Sequence, residues 1–224
     1  MPMKHAAIVR FPGGAKPLIL LTAATGAMDA LVFTCHGQVF ASVLTGNFVL
    51  LGASVVLPWR EFSGPVTVIA GYLLGVLLAA RRCRAEDTRR IRRIAQCLLA
   101  EAALVVVLAV LAGALGDHVT RTLVLTLASL AMGVQSATVM AADSNSPTTY
   151  LTSTFTRFFS DAAVSGTVDP WAAARIAALV AGAGAGVAVG LSLPNWGFAL
   201  PALLIVAASV FVVRTTAGPV SEGD

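Results

Sequence analysis

Charge is what this chain has least of. Acidic and basic side chains make up 12% of its 224 residues, whereas 57% are hydrophobic and the mean hydropathy is +0.85. A soluble domain carries roughly 25% charged residues, so this chain has too little polar surface to cover a water-soluble particle of its size. Histidine is scarce too, at positions 5, 36 and 118. No H-E-x-x-H, G-x-S-x-G or P-loop pattern occurs, so the usual zinc, serine-nucleophile and phosphate-cradling motifs are missing. No cofactor is indicated. The cysteines Cys35, Cys83 and Cys97 are odd in number and irregular in spacing, which points to neither a disulfide framework nor a metal cluster.

What fills the chain is apolar sequence. Segments at 18–35, 38–57, 65–80, 94–114, 120–141, 149–165, 171–191 and 196–214 approach the ~20 residues that a spanning helix needs. The expected fold class is an all-α polytopic membrane protein of the inner (plasma) membrane, with the lipid bilayer as its first partner. The net charge of +4 does not imply nucleic acid. Seven of the fifteen basic residues fall within Arg81–Arg93, and Lys4, Arg10 and Lys16 precede the first apolar run. Such clusters mark cytoplasmic ends of spans, and anionic lipid headgroups are the partner expected at Arg81–Arg93. The N-terminus has the basic-then-apolar look of a signal peptide. Asp29 interrupts the run and no small-x-small site closes it, so 18–35 reads as a retained helix.

Sliding the sequence by 107 residues places Gly26 on Gly133, Ala30 on Ala137, Leu44-Thr45 on Leu151-Thr152, Phe48 on Phe155 and Gly75 on Gly182. This predicts two repeats, 18–106 and 125–213, between an N-terminal segment 1–17 and a polar tail 214–224. If the N-terminus and the 81–93 connector share the cytoplasmic side, one of the three segments between them does not cross. Segment 38–57, interrupted by Thr45-Gly46-Asn47, is the natural choice, and 149–165 is its counterpart. The expectation is six transmembrane helices plus two broken or re-entrant ones, arranged as an inverted repeat of the kind found in secondary transporters. Eight full crossings with the N-terminus outside is the rival.

The pattern Gly26-x-x-Asp29-Ala30 with Phe40-x-x-x-x-Thr45-Gly46-Asn47, then Ala131-Met132-Gly133-x-Gln135 and Thr148-Thr149-x-x-Thr152, resembles the YoaK-like bacterial membrane family, domain of unknown function 1275. The resemblance covers 18–213 and implies a six-span bacterial inner-membrane protein without assigning an activity. Here Gln135-Ser136-Ala137 and Thr152-Ser153 depart from the family's Gln-Asn-Ala and Thr-Gly, so the second break is expected to be less sharp.

Asp29 is the residue that most asks for a reason, because a carboxylate near the bilayer centre costs about 2.5–3.5 kcal/mol on insertion scales. It is either a proton or cation site, or a cap for backbone N–H groups freed at the break. Thr45, Gly46 and Asn47 are expected to form that break, with Asn47 as N-cap and Phe48–Leu57 as the half-helix behind it. Such a helix end attracts anions or polar solute groups; alternatively the triplet is a polar kink satisfied by neighbouring helices. In the second half Gln135, Ser136, Thr149, Thr152 and Thr154 offer neutral hydrogen bonds, with Ser136 at the position of Asp29. Arg157 and Asp161, at i and i+4, are either a structural pair at the cytoplasmic edge or a gate. Glu101 and Arg175 are expected to snorkel toward span ends, and the glycines from Gly182 to Gly190 to serve close helix packing. The expected function is movement of an unidentified small solute, by a transporter or channel with a site between two discontinuous helices near the midplane. A non-catalytic scaffold or sensor is the alternative and an intramembrane enzyme the third. No catalytic or metal residue is assigned, and self-association into a homo-oligomer is left open.

Overall fold

The computed structural model describes residues 11–57, 61–83, 90–142, 151–166 and 168–217. Among them are eight α-helices and no strand: α1 Ala15–Cys35, α2 Leu44–Val56, α3 Ser63–Cys83, α4 Arg90–Leu115, α5 Arg121–Ala142, α6 Leu151–Ser165, α7 Pro170–Ser192 and α8 Ala199–Ala217. Six of them are long and apolar enough to cross a membrane, namely α1, α3, α4, α5, α7 and a stretch that includes α8. The 13 residues of α2 reach about 20 Å at 1.5 Å per residue, short of a ~30 Å hydrocarbon layer. The protein is thus a multi-pass helical membrane protein.

The bounds of the first four helices, moved by 107 residues, fall on those of the last four to within a few residues. Packing follows the same exchange. The two most extensive contacts are α3 with α5 and α1 with α7; α1 with α8 is matched by α5 with α4, and α4 packs on α8. Glycine makes the two main seams close. A Cβ on Gly26 would fall on the Leu179 carbonyl, and one on Gly182 would fall on the Ala23 carbonyl. In the other seam Gly133 meets the Tyr72 carbonyl and Gly75 the Leu130 carbonyl. Gly26 and Gly133 are 107 apart, as are Gly75 and Gly182, so one packing device occurs twice. Gly186 and Gly190 also approach α1, at Ala27 and Leu31, but Gly184 faces open space.

Three features differ from the sequence expectation. Segment 38–57 is not a helix broken at Thr45-Gly46-Asn47. α1 ends at Cys35, Gly37 and Gln38 take φ of 111° and 58°, and α2 begins at Leu44, so the triplet forms its first turn. The break falls where a glycine permits a left-handed backbone, several residues before Gly46. Secondly, Glu101 and Arg175 do not snorkel, being 0% and 7% exposed. Glu101 shares a stripe with Ile94, Leu98, Val105 and Leu108, all buried, on a helix packed against α5 and α8. Its carboxyl has no hydrogen-bond partner among the described residues. Thirdly, Cys83 and Cys97 lie side by side as free thiols, Sγ to Sγ 3.1 Å, where α3 ends and α4 begins.

Candidate functional site

The polar residues of the first repeat converge on the loop between α1 and α2. Asp29, three-quarters of the way along α1, is 9% exposed. One of its carboxylate oxygens accepts from the Ser42 backbone N–H at 2.7 Å and the other from the Ser42 hydroxyl at 2.5 Å. Asp29 therefore fastens the loop immediately ahead of α2, and its side-chain bonds go to Ser42 and not to Thr45, Gly46 or Asn47. The carboxylate thus bonds loop backbone several residues ahead of the expected break. Asn47 is fully buried. Its Nδ2 donates to the Phe40 carbonyl at 2.6 Å and its Oδ1 accepts from the Phe40 N–H at 3.0 Å. It is not an N-cap, since the residue at that position is Val43 and α2 has no side-chain cap. An amide that donates to the C=O and accepts from the N–H of one residue closes the 40–47 turn as a β-ladder pair would. Gly46 lies against the Phe40 ring, and Phe40 stacks on Phe33 at 4.8 Å. Thr45 is exposed.

The outer side of the same loop is held by a residue that sequence reasoning missed. Arg121, the first residue of α5, donates through Nε to the His36 carbonyl at 2.7 Å and through a terminal nitrogen to the Gly37 carbonyl at 3.3 Å. It also forms an ion pair with Glu61. One guanidinium thus joins the end of α1, the approach to α3 and the start of α5, and the chain leaves α1 and enters α3 at the same end of the bundle. His36 stacks on Phe198 at 5.4 Å, and burial together with Arg121 holds it below the ordinary histidine pKa of 6.5. A cavity of about 370 Å³ opens here, with Gly37, Gln38, Val39, Leu50, Glu61 and Arg121 in its wall. Asp29 is not among the residues that line this cavity. A lone arginine beginning an apolar run, with a lone Glu61 across the bundle, was the only signal in the sequence.

The second repeat does not assemble a matching cluster among the described residues. Gln135 is buried and donates to the Thr25 hydroxyl at 2.8 Å and toward the Leu21 carbonyl at 3.4 Å, so it pins α5 to α1. Ser136 is buried beside it. Thr149 lies outside the described residues. Thr152 is exposed on α6, where its carbonyl accepts from Thr156, and Thr154 is half-buried. Arg157 and Asp161 are both exposed, on a helix that packs on α7. The stretch that corresponds to the 36–43 loop, 143–150, lies outside the described residues.

The model of a family described as "Protein of unknown function (DUF1275)" matches residues 17–212. The chain belongs to that family. The YoaK-like label is not part of the description. No curated protein and no solved structure matches the chain. Membership in DUF1275 spans both repeats, so the clasped loop at 36–47 and the Gly26–Gly182 and Gly133–Gly75 seams all lie within the family's own extent.

Proposed function

We propose that this DUF1275 chain moves a small solute across the inner membrane, as a transporter or channel, with the 36–47 loop and α2 standing between an outward cavity and the bilayer midplane. The observation that carries the reading is the loop itself. It lines a 370 Å³ cavity that holds an ion pair, and it is bonded at Ser42 to a buried carboxylate. Non-helical backbone at membrane depth is tolerated where it lines a wet cavity or is enclosed by protein, and half-length helices at equivalent positions of two repeats are the usual pointer to a transport site. The halves are read as inverted, with the N-terminus and the 81–93 connector cytoplasmic, three crossings per half, and α2 and α6 not crossing. The exchange of packing partners between halves supports this. Asp29 acts as the titratable latch: protonation weakens its two bonds from Ser42 and frees the loop to move.

The scaffold or sensor reading is favoured by one thing, that Asp29 and Asn47 already have partners within the chain. Proteoliposomes decide between them. Stopped-flow light scattering with glycerol, urea and potassium acetate as probe solutes, with a trapped pH dye, should show at least one probe moving faster than in empty vesicles. That movement should depend on pH in the native chain and lose the dependence in Asp29→Asn. Probe rates equal to those of empty vesicles would leave the scaffold. A pH-dependent flux untouched by Asp29→Asn would remove the latch role alone.

A further inference from the structure

Cys83 ends α3, and Cys97 lies about two turns into α4. Both are buried free thiols with their sulfurs 3.1 Å apart. They stand outside the main core. With Ala79 and Val134 they form a small cluster of their own, against which Ala137 and Ala141 pack. A single buried cysteine can serve as a small hydrophobe, but two thiols in contact also share a reaction that no other pair of small side chains has. A disulfide is about 2.05 Å long, so joining these sulfurs takes an approach on the order of 1 Å. Alanine neighbours oppose such a rotation least.

An oxidant must reach one of the two sulfurs. A cavity of about 510 Å³ lies between α3 and α4, with Cys97 in its wall beside Leu78, Arg82, Ala100, Ala103 and Val107. Cys83 does not line it. Cys97 is therefore the thiol that an entering molecule meets, and Cys83 is the one held against it. Leu78, Ala100, Ala103 and Val107 are exposed, which on spanning helices turns them toward lipid. A charged oxidant pays heavily to enter by that side, whereas a neutral apolar one does not.

We propose that Cys83 and Cys97 are a reversible dithiol–disulfide site, oxidised by an apolar hydroperoxide from the bilayer. The Cys97 sulfur attacks the terminal peroxide oxygen and the O–O bond breaks. The thiol proton goes to the departing alkoxide, which leaves as an alcohol, and Cys97 becomes a sulfenic acid. The Cys83 sulfur then attacks the Cys97 sulfur, the S–O bond breaks, and the hydroxyl departs as water with the Cys83 proton. Two electrons pass from the thiols to one hydroperoxide, and a dithiol reductant restores them by exchange. The disulfide ties α3 directly to α4, helices that each pack more extensively on α5 than on one another. The site does not rest on the transport reading.

The test counts free thiols in the full chain, reconstituted in liposomes, by the mass that a polymer-linked maleimide adds after denaturation. The reduced chain should take three labels, one for each cysteine. After cumene hydroperoxide it should take one, at Cys35, and dithiothreitol before labelling should restore all three. Glutathione disulfide, which is charged, should act at least roughly tenfold more slowly. Dimedone should trap Cys97 as a sulfenic acid in Cys83→Ser, while Cys83 should stay a thiol in Cys97→Ser. Ala103→Leu narrows the cavity from its lipid side and should slow the oxidation severalfold. An unchanged count after cumene hydroperoxide, a cross-linked dimer of Cys35→Ser, or a loss that dithiothreitol does not restore would overturn the site. Equal rates with glutathione disulfide, dimedone on Cys83 in Cys97→Ser, or an unslowed Ala103→Leu would overturn the entry from lipid to Cys97.

Discussion

Asn47 aims both polar atoms of its side chain at one residue, Phe40, and Asp29 aims both of its own at Ser42. That these positions would be buried and polar was legible, since a carboxyl and an amide within apolar runs need partners. Which partners they take was not, because the path of the loop depends on Gly37 and Gln38, whose left-handed φ leaves no pattern of hydrophobicity. The same turn presents His36 to Arg121 and Phe198, and there the consequence can be measured. The fold holds His36 below 6.5 through burial and the Arg121 charge, so the folded state prefers the neutral ring. As pH falls the unfolded chain takes up the proton first. The stabilising contribution is therefore complete above the ordinary histidine value and is lost as pH drops through the lower folded one. Between about pH 7 and about pH 5, the midpoint of thermal unfolding in detergent should fall more steeply in the native chain than in His36→Gln. Parallel curves for the two would show that His36 titrates without strain.

Among elements, the helix seams were legible as composition and not as geometry. The run Gly182-x-Gly184-x-Gly186-x-x-x-Gly190 announces close packing by its letters, yet a helix has one contact face, and sequence alone does not say which glycines occupy it. The structure puts Gly182, Gly186 and Gly190 against α1 and leaves Gly184 open. Adding one methyl group separates them. Gly182→Ala drives a Cβ into the Ala23 carbonyl and should cost about 1–3 kcal/mol, the usual range for overpacking. Gly184→Ala meets nothing and should be neutral or slightly stabilising, since alanine is the better helix former by up to ~1 kcal/mol. Unfolding of both variants in mixed detergent micelles reads the difference, and equal midpoints would put the α1–α7 seam elsewhere. The thiol pair Cys83 and Cys97 escaped the sequence for a related reason. Thirteen residues separate them, and only the antiparallel return of α4 on α3 brings their sulfurs to 3.1 Å.

For the whole molecule, the helices were legible as apolar runs, and their bounds and glycine seams recur at the 107-residue offset seen in the sequence. Orientation has to be inferred from charge, and a specific crossing count follows from it. Arg121 reaches both the end of α1, at His36 and Gly37, and Glu61 ahead of α3. If α2 fails to cross, Cys35 at the exposed end of α1 lies outside, and the single crossing of α3 returns the connector to the cytoplasmic side. With eight full crossings and an outside N-terminus, Cys35 would lie inside instead, while the connector would keep its side. The native thiol is thus the position that discriminates. In a Cys83→Ser/Cys97→Ser background, a membrane-impermeant maleimide applied to spheroplasts should label Cys35. A second chain, with Cys35→Ser and Arg84→Cys added, should be labelled only after lysis. Protection of Cys35 until lysis would favour eight crossings. Labelling at position 84 in intact spheroplasts would reverse the side assigned to the arginines, and with it the direction in which the 370 Å³ cavity opens.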